Sequence, residues 1–266
     1  MKTYMQVFLE LKRAALIPFF VIGDPDLDTS FEIVKTAIDA GADILELGIP
    51  FSDPIADGPT IQKADIRALR AGMNVQKGLD FIKKVKAYKD IPIGLLMYYN
   101  LVYQYGIEKF FNDFHQAGVN SVLVADLSID DADEIIAPAA SAGLDTVFMV
   151  TPITDTERMK LIVSKTTGFI YAVSVLGVTG SRDNLSDTIE GLVSKLKTLT
   201  SIPVCVGFGI SKAEHAAAVV AAGADGVIIG SKIVALIERN LNNKEKTIAE
   251  ISSFISEVKK VLPRAD

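Results

Sequence analysis

The 266-residue sequence has few of the residues that mark disulfide-rich, metal-binding or nucleic-acid-binding proteins. Its single cysteine, Cys205, has no second cysteine for an internal disulfide, so a reducing compartment is expected. Its two histidines, His115 and His215, have no acidic or cysteine partner at ligand spacing, so no metal site is expected. A net charge of −6 provides no basic footprint for nucleic acid or an anionic membrane.

Long apolar runs are also missing from the chain. No segment approaches the ~20 apolar residues that a membrane span needs, and residues 1–14 lack the apolar core and cleavage site of a signal peptide. Those residues instead carry Tyr4, Val7, Phe8 and Leu11 at helical spacing, which predicts an extra amphipathic helix at the N-terminus. The expected location is the cytoplasm.

Eight short apolar runs alternate with amphipathic helical patterns along the whole chain. Their continuous hydrophobicity favours parallel strands that are covered on both faces. The runs are ALIPFFVIG, DILELGI, IPIGLLMYY, SVLVADL, DTVFMVT, GFIYAVSV, IPVCVGFG and GVIIG. An Ala-Gly pair precedes a strand at four places, where glycine suits the left-handed end of a helix. This pattern predicts one (β/α)8 barrel domain over residues 1–266, with an open doubly wound sheet as the alternative.

A single carboxylate interrupts the second apolar run, DILELGI. Side chains alternate along a strand, so Glu46 shares a face with Ile44 and lies opposite Leu45 and Leu47. The two leucines suit the face under the helices, which leaves Glu46 pointing into the barrel near the end where active sites lie. Burial there would raise its pKa and suit it to proton transfer. No Lys or Arg lies within the strand runs to make it a structural ion pair.

A loop rich in proline, glycine and aspartate follows that strand. Two prolines and a glycine restrict the loop and can hold Asp57 at a defined place, although an ordinary solvated turn residue is an equally good interpretation of Asp57 taken alone. Asp53, with Pro54 beside it, is predicted to form a turn or a contact with a partner.

Glycine-bearing loops follow the last three strand runs, at Gly177 in GVTGSRDN, Gly207 in GFGIS and Gly230 in GSKI. Exposed backbone N–H groups and a helix N-terminus at this end of a barrel favour an anion, and Ser231 adds a hydroxyl. These loops therefore predict a phosphate site. No strand carries an inward lysine, so a Schiff-base mechanism has no candidate residue.

The stretch LELGIPFSDPIADGPTIQ closely resembles the signature of the tryptophan synthase alpha chain family. The likeness continues in order through PFFVIGDP, IGLLMYYNLV, SVLVADL, GVTGSR, VGFGIS and GVIIGSKIV. The resemblance implies a (β/α)8 barrel that cleaves indole-3-glycerol phosphate into indole and glyceraldehyde 3-phosphate without a metal or cofactor of its own. It also implies a beta chain that holds pyridoxal phosphate and receives the indole, in an alpha2beta2 tetramer.

By position in these motifs, the resemblance places the two catalytic acids at Glu46 and Asp57. Glu46 would protonate the indole ring and accept the hydroxyl proton, and Asp57 would accept the indole N–H. The residues implied to contact the substrate are Phe19, Leu96, Tyr171, Thr179, Gly180, Phe208, Gly209, Gly230 and Ser231. The beta chain is expected to dock at Asp53 and Pro54. Two alternatives stay open, a stand-alone lyase and a chain that mainly activates its beta partner.

Overall fold

The computed structural model describes residues 2–173, 183–207 and 209–263 of the chain. Strands and helices alternate through these residues, and all eight pairings between neighbouring strands are parallel. The strands are β1 Ala15–Val21, β2 Leu45–Gly48, β3 Ile93–Met97, β4 Ser121–Val124, β5 Asp145–Thr146, β6 Phe148–Val150, β7 Ile170–Val173, β8 Val204–Gly207 and β9 Gly226–Ile229.

The strand order is β5-β4-β3-β2-β1-β9-β8-β7-β6, and the two ends of this series meet in one stretch of chain. β5 pairs with β4 and β6 pairs with β7, and only Val147 separates β5 from β6. The Val147 N–H donates to the Val122 carbonyl at 3.0 Å, which extends the pairing with β4. β5 and β6 are thus two parts of the single predicted run DTVFMVT. The eight-stranded (β/α)8 barrel is confirmed, and the open doubly wound alternative is wrong.

The helices cover the outside of this barrel, apart from the first. Those in the described residues are α1 Tyr4–Glu10, α2 Leu27–Ala40, α3 Pro59–Arg70, α4 Val75–Tyr88, α5 Tyr99–Tyr105, α6 Ile107–Ala117, α7 Asp133–Ala142, α8 Thr156–Lys165, α9 Asp183–Leu199, α10 Ala213–Ala221, α11 Ser231–Arg239 and α12 Lys244–Lys260. Within the described ranges, none of them is long and apolar enough to cross a bilayer.

The N-terminal helix α1 packs against the inside of the barrel, as its amphipathic pattern predicts. Tyr4 and Val7 are buried in the same apolar cluster as the inward-facing Ile17, Ile44 and Ile228. The cluster closes the barrel at the end where the strands begin. A site for a substrate is therefore expected at the opposite end, where the strands finish.

The Ala-Gly joints turn the chain at the ends of four helices. Their glycines, Gly41, Gly118, Gly143 and Gly223, have φ values between +83° and +111°, a region that residues with a Cβ rarely occupy. Each joint returns the chain to the start of a strand. The carboxyl ends of the strands therefore all lie at one end of the barrel, together with the loops that follow them.

Candidate active site

A cavity of about 360 Å³ opens at the carboxyl ends of the strands. It is lined by side chains that end strands and by the loops after β2, β8 and β9. The lining residues are Phe19, Glu46, Asp57, Gly58, Ile61, Leu96, Tyr171, Gly209, Ile210, Ser211, Ile228, Gly230, Ser231 and Lys232. Eight of the predicted catalytic and substrate contacts are thus brought together here. The other three, Thr179, Gly180 and Phe208, lie outside the described residues.

Glu46 lies in the second strand with its side chain inside the barrel. It pairs in register with Phe19 of β1 and Gly94 of β3, and only 4% of it is exposed. Among the described residues its Oε2 has no hydrogen-bond partner. Burial raises the pKa of Glu46 to about 8, and the negative charge of Asp57 adds to the rise. The carboxyl can therefore hold and release a proton near neutral pH.

Asp57 is held by hydrogen bonds from outside its own loop. The Tyr98 hydroxyl donates to Asp57 Oδ2 at 2.7 Å, and the Ala56 N–H donates to the same hydroxyl at 3.1 Å. Gln62 Nε2 donates to the Asp57 carbonyl at 2.8 Å. Burial raises the pKa of the Asp57 carboxyl, and the Tyr98 hydrogen bond opposes that rise. Asp57 is thus a fixed acid at the cavity wall, unlike an ordinary solvated turn residue.

Tyr98 is not among the site residues that the sequence predicts. Burial raises the pKa of its phenol, and the hydrogen bond and negative charge of Asp57 raise it further, so the hydroxyl stays protonated and can donate. The Tyr98 ring also stacks on Phe51, with centroids 5.1 Å apart and planes 25° apart. Its position near the end of the third run, IPIGLLMYY, was the available signal, since residues at the carboxyl ends of barrel strands line the active end.

Two aromatic walls of the cavity fit because their neighbours are glycines. A Cβ added at Gly207 would lie 2.4 Å from the Tyr171 hydroxyl. A Cβ at Gly48 would lie 2.9 Å from Phe19 Cζ, and one at Gly230 would lie 3.1 Å from Phe19 Cδ1. Gly230 therefore makes room for the Phe19 ring, a role that the sequence does not predict.

One side of the cavity is formed by the loops after β8 and β9. Gly230 precedes helix α11, which begins at Ser231, so the unpaired N–H groups of its first turn lie beside the cavity. Gly209 has a φ of +71°, in the left-handed region. Ser211 and Lys232 also line this side, and neither was predicted to do so.

His215 supports the turn from Gly209 to Ser211, and among the residues that the structure describes it has no partners for a metal site. His215 lies in the first turn of α10, and its Nδ1 accepts a hydrogen bond from the Ser211 N–H at 3.3 Å. Cys205 is fully buried in the barrel interior. In the ranges that the structure describes, no three His, Cys, Asp or Glu side chains are grouped as metal ligands.

The predicted partner contacts lie outside the cavity, on the same loop as Asp57. Asp53 is exposed and its carboxylate accepts a hydrogen bond from the Ser52 hydroxyl, while Pro54 is half-buried. Ile55, the next residue, is 82% exposed, and Ile153 in the loop after β6 is 93% exposed. Large apolar side chains are thus presented to solvent at the active end of the barrel.

Comparisons with known proteins agree on one family. Residues 5–263 match the family model described as Tryptophan synthase alpha chain. A protein of that name from Methanothermobacter thermautotrophicus is 45% identical over 257 residues, which cover 97% of this chain and 95% of the relative.

Solved structures of the same family share the fold over nearly the full length. Tryptophan synthase subunit alpha from Legionella pneumophila has a TM-score of 0.90 at 29% identity, covering 98% of each chain. A chain from a structure of the tryptophan synthase a2b2 complex of Pyrococcus furiosus has a TM-score of 0.86 at 37% identity. That match covers 93% of this chain and 99% of the other.

Proposed function

The chain belongs to the tryptophan synthase alpha chain family, and on that premise we propose how its own residues carry out the family's reaction. It is the alpha subunit, a carbon–carbon lyase that cleaves indole-3-glycerol phosphate into indole and glyceraldehyde 3-phosphate. The observation that carries the residue assignments is the pair of acids, the buried Glu46 and the half-buried Asp57, that face one cavity with a helix N-terminus beside it.

The bond that breaks joins the indole ring to the glycerol side chain. A proton added to the ring carbon turns the ring into an electron sink. Loss of the adjacent hydroxyl proton then forms the aldehyde, and the electrons of the broken carbon–carbon bond return to the ring. One proton is taken from the hydroxyl and one is given to the ring, so the reaction needs no net acid or base.

Glu46 is assigned both proton transfers. With a pKa raised to about 8 by burial, its carboxyl is protonated at neutral pH and can donate to the ring carbon. The resulting carboxylate is then able to accept the hydroxyl proton, which restores the starting state. The lack of a hydrogen-bond partner for Oε2 among the described residues leaves that oxygen available to substrate.

Asp57 is assigned the indole N–H. Protonation of the ring develops positive charge on it, and a carboxylate held in place by Tyr98 stabilises that charge without having to reorganise. The Phe19, Leu96 and Tyr171 side chains would enclose the ring, and cavities of this size suit small ligands.

The phosphate group is assigned to the backbone between Gly209 and Ser231. A helix N-terminus and exposed N–H groups favour an anion even in a chain of net charge −6. The assignment puts the phosphate at loops other than the one that carries Asp57. The substrate would then extend across the cavity between two fixed ends, which aligns its reacting bond with Glu46.

The beta chain is the partner that receives indole in an alpha2beta2 complex. We propose that it docks at Asp53 and Pro54, next to the exposed Ile55.

We also propose that pyridoxal phosphate belongs to the beta chain and that this chain works without a cofactor, because the proton transfers above balance with Glu46 alone. A single domain over residues 1–266 and a reducing cytoplasm, suited to the buried Cys205, complete the proposal.

Indole release from indole-3-glycerol phosphate, measured on the purified chain with and without beta chain, tests the proposal. Slow release alone and a large increase with beta chain are expected. Full activity without a partner would favour a stand-alone lyase. No release in either condition, together with activation of the beta chain, would favour a purely activating role.

A further inference from the structure

A cluster of four charged side chains lies beside the cavity, and none of the four lines it. Arg67 on α3 donates through Nε and Nη2 to the two carboxylate oxygens of Asp24, at 2.6 and 2.9 Å. Asp24 follows β1, and only 1% of its side chain is exposed. Arg67 Nη1 also lies 3.9 Å from Glu238 Oε1 on α11, and Lys63 Nζ of α3 lies 3.0 Å from the same oxygen. Two cations thus balance two carboxylates.

The three elements that this cluster connects each contribute to the wall of the cavity. Phe19 of β1, Ile61 of α3 and Ser231 at the start of α11 are all lining residues. α3 follows Asp57 after one residue, Gly58. The two helices pack against each other and against β1. The cluster therefore connects the loop that carries Asp57 to the helix start that is assigned to the phosphate.

Arg67 is suited to fixing these elements in place. A guanidinium that donates two hydrogen bonds to one carboxylate sets orientation as well as distance. Arg67 lies about 9 Å along α3 from Ile61, at 1.5 Å per residue. Helices bend sharply almost only at proline, glycine or a bulge, and residues 61–67 and 231–238 contain no proline or glycine. A contact in the later turns of α3 and α11 therefore also sets where their first turns lie.

We propose that Arg67 is a positioning residue for the lyase reaction, which fixes the distance between the Asp57 loop and the helix start at Ser231. The inference rests on the function proposed above, in which the substrate extends between these two places. A substrate that is bound at both ends needs a site whose ends keep the matching separation. Because none of the four side chains lines the cavity, the cluster acts through geometry and not by contact with the substrate.

A change in this separation should affect the whole substrate more than its two halves. Indole and glycerol 3-phosphate each need one end of the site, whereas the substrate needs both ends at once. Arg67→Met removes the guanidinium and keeps a long side chain. At saturating beta chain we expect its kcat/KM for substrate to fall about tenfold or more, while the Kd of indole and of glycerol 3-phosphate stays within about twofold. An uncleavable analogue, indole joined to phosphate through three carbons, should lose affinity as the substrate does.

Arg13→Met is the matched control, at the end of the barrel where the strands begin. Arg13 precedes β1 and Asp43 precedes β2, and the guanidinium donates to the two carboxylate oxygens at 2.7 Å each. The Arg13 side chain is 18% exposed, against 16% for Arg67. Both variants leave a carboxylate of low exposure without its cation, so Tm should fall in both. Only Arg67→Met should lose kcat/KM.

A wild-type kcat/KM in Arg67→Met would overturn the proposal. An equal loss of kcat/KM in Arg13→Met would also overturn it, because general stability would then be the cause. Equal losses for substrate, indole and glycerol 3-phosphate would mean that the site itself is damaged, and would overturn it too. Failure of the wild-type chain to release indole would instead refute the proposed function, so the two failures are distinguishable.

A second test leaves the buried pair of Arg67 and Asp24 intact. Glu238→Lys brings three cations together and should push α3 away from α11, so kcat/KM should fall while the Kd of each half of the substrate is kept. Adding Lys63→Glu restores opposite charges between the helices and places an acid four residues before Arg67. Most of the lost kcat/KM should then return. If Arg67→Met does not fold, a wild-type kcat/KM in Glu238→Lys would by itself refute the proposal, as would a loss that Lys63→Glu does not reduce.

Discussion

Glu46 and Asp57 face the same cavity, and the negative charge of Asp57 adds to burial in raising the pKa of Glu46. The two acids differ in their hydrogen bonding and in the protonated form that each favours. Glu46, without a hydrogen-bond partner for Oε2 among the described residues, favours its protonated form, whereas Asp57 accepts a hydrogen bond from Tyr98. Pairs of acids whose environments push their pKa values apart divide the work of proton donor and fixed charge.

Glu46→Gln should remove nearly all lyase turnover and leave glycerol 3-phosphate binding close to wild type. The amide keeps the size of the side chain but cannot transfer a proton, and general acid–base catalysis is typically worth ~10²–10⁴-fold. Steady-state indole release and a phosphate-ligand titration would measure the two effects. A variant that retains a tenth or more of wild-type turnover would rule out Glu46 as the main proton carrier.

The same variant should change how stability depends on pH. The pKa of Glu46 is raised from 4.5 to about 8 on folding, so its stabilising contribution is fully present below about 4.5 and is lost as pH rises through about 8. The wild type should therefore lose stability relative to Glu46→Gln across this window, by about 1.4 kcal/mol per pH unit at most. Tm values from pH 5 to 9 would measure the trend.

Asp80→Asn, at an exposed acid on α4, is the control for that pH series. A Tm difference between wild type and Glu46→Gln that stays constant over the whole range would show that Glu46 is not held protonated by the fold.

Gly230→Asp should raise the KM for substrate by about tenfold or more and weaken glycerol 3-phosphate binding. A carboxylate at this helix start repels the phosphate, and its Cβ would also press on Phe19, 3.1 Å from Cδ1. Gly230→Ala carries only the second effect and should weaken binding less. Gly191→Ala, where an added Cβ meets nothing within 4 Å, is the matched control. Unchanged glycerol 3-phosphate binding in Gly230→Asp would place the phosphate elsewhere.

Asp53→Ala and Pro54→Gly should reduce the increase in indole release that beta chain produces, while basal release stays near wild type. Both residues lie on the loop of Asp57 but outside the cavity, so contact with a partner there can restrict the loop without supplying chemistry. Rates with saturating beta chain and without it would measure the ratio, with Asp80→Ala as a control for loss of an exposed charge. Equal proportional losses in both conditions would mean that these residues only stiffen the turn.

The sequence alone determined the architecture and the inward position of Glu46 in the barrel. Eight apolar runs, the recurring Ala-Gly joints and the amphipathic start were enough for the barrel and its N-terminal helix, because these features depend on local periodicity. Alternation along DILELGI likewise put Glu46 with Ile44 inside the barrel, since a strand has only two faces.

Only the tertiary structure decided how those acids are held. The hydrogen bond from Tyr98 to Asp57 joins residues 41 apart in the chain. The fit of Phe19 against Gly230 and the break of the fifth strand at Val147 also depend on strand register and barrel closure. Local pattern carries no information on such contacts, because they exist only once distant segments have packed together.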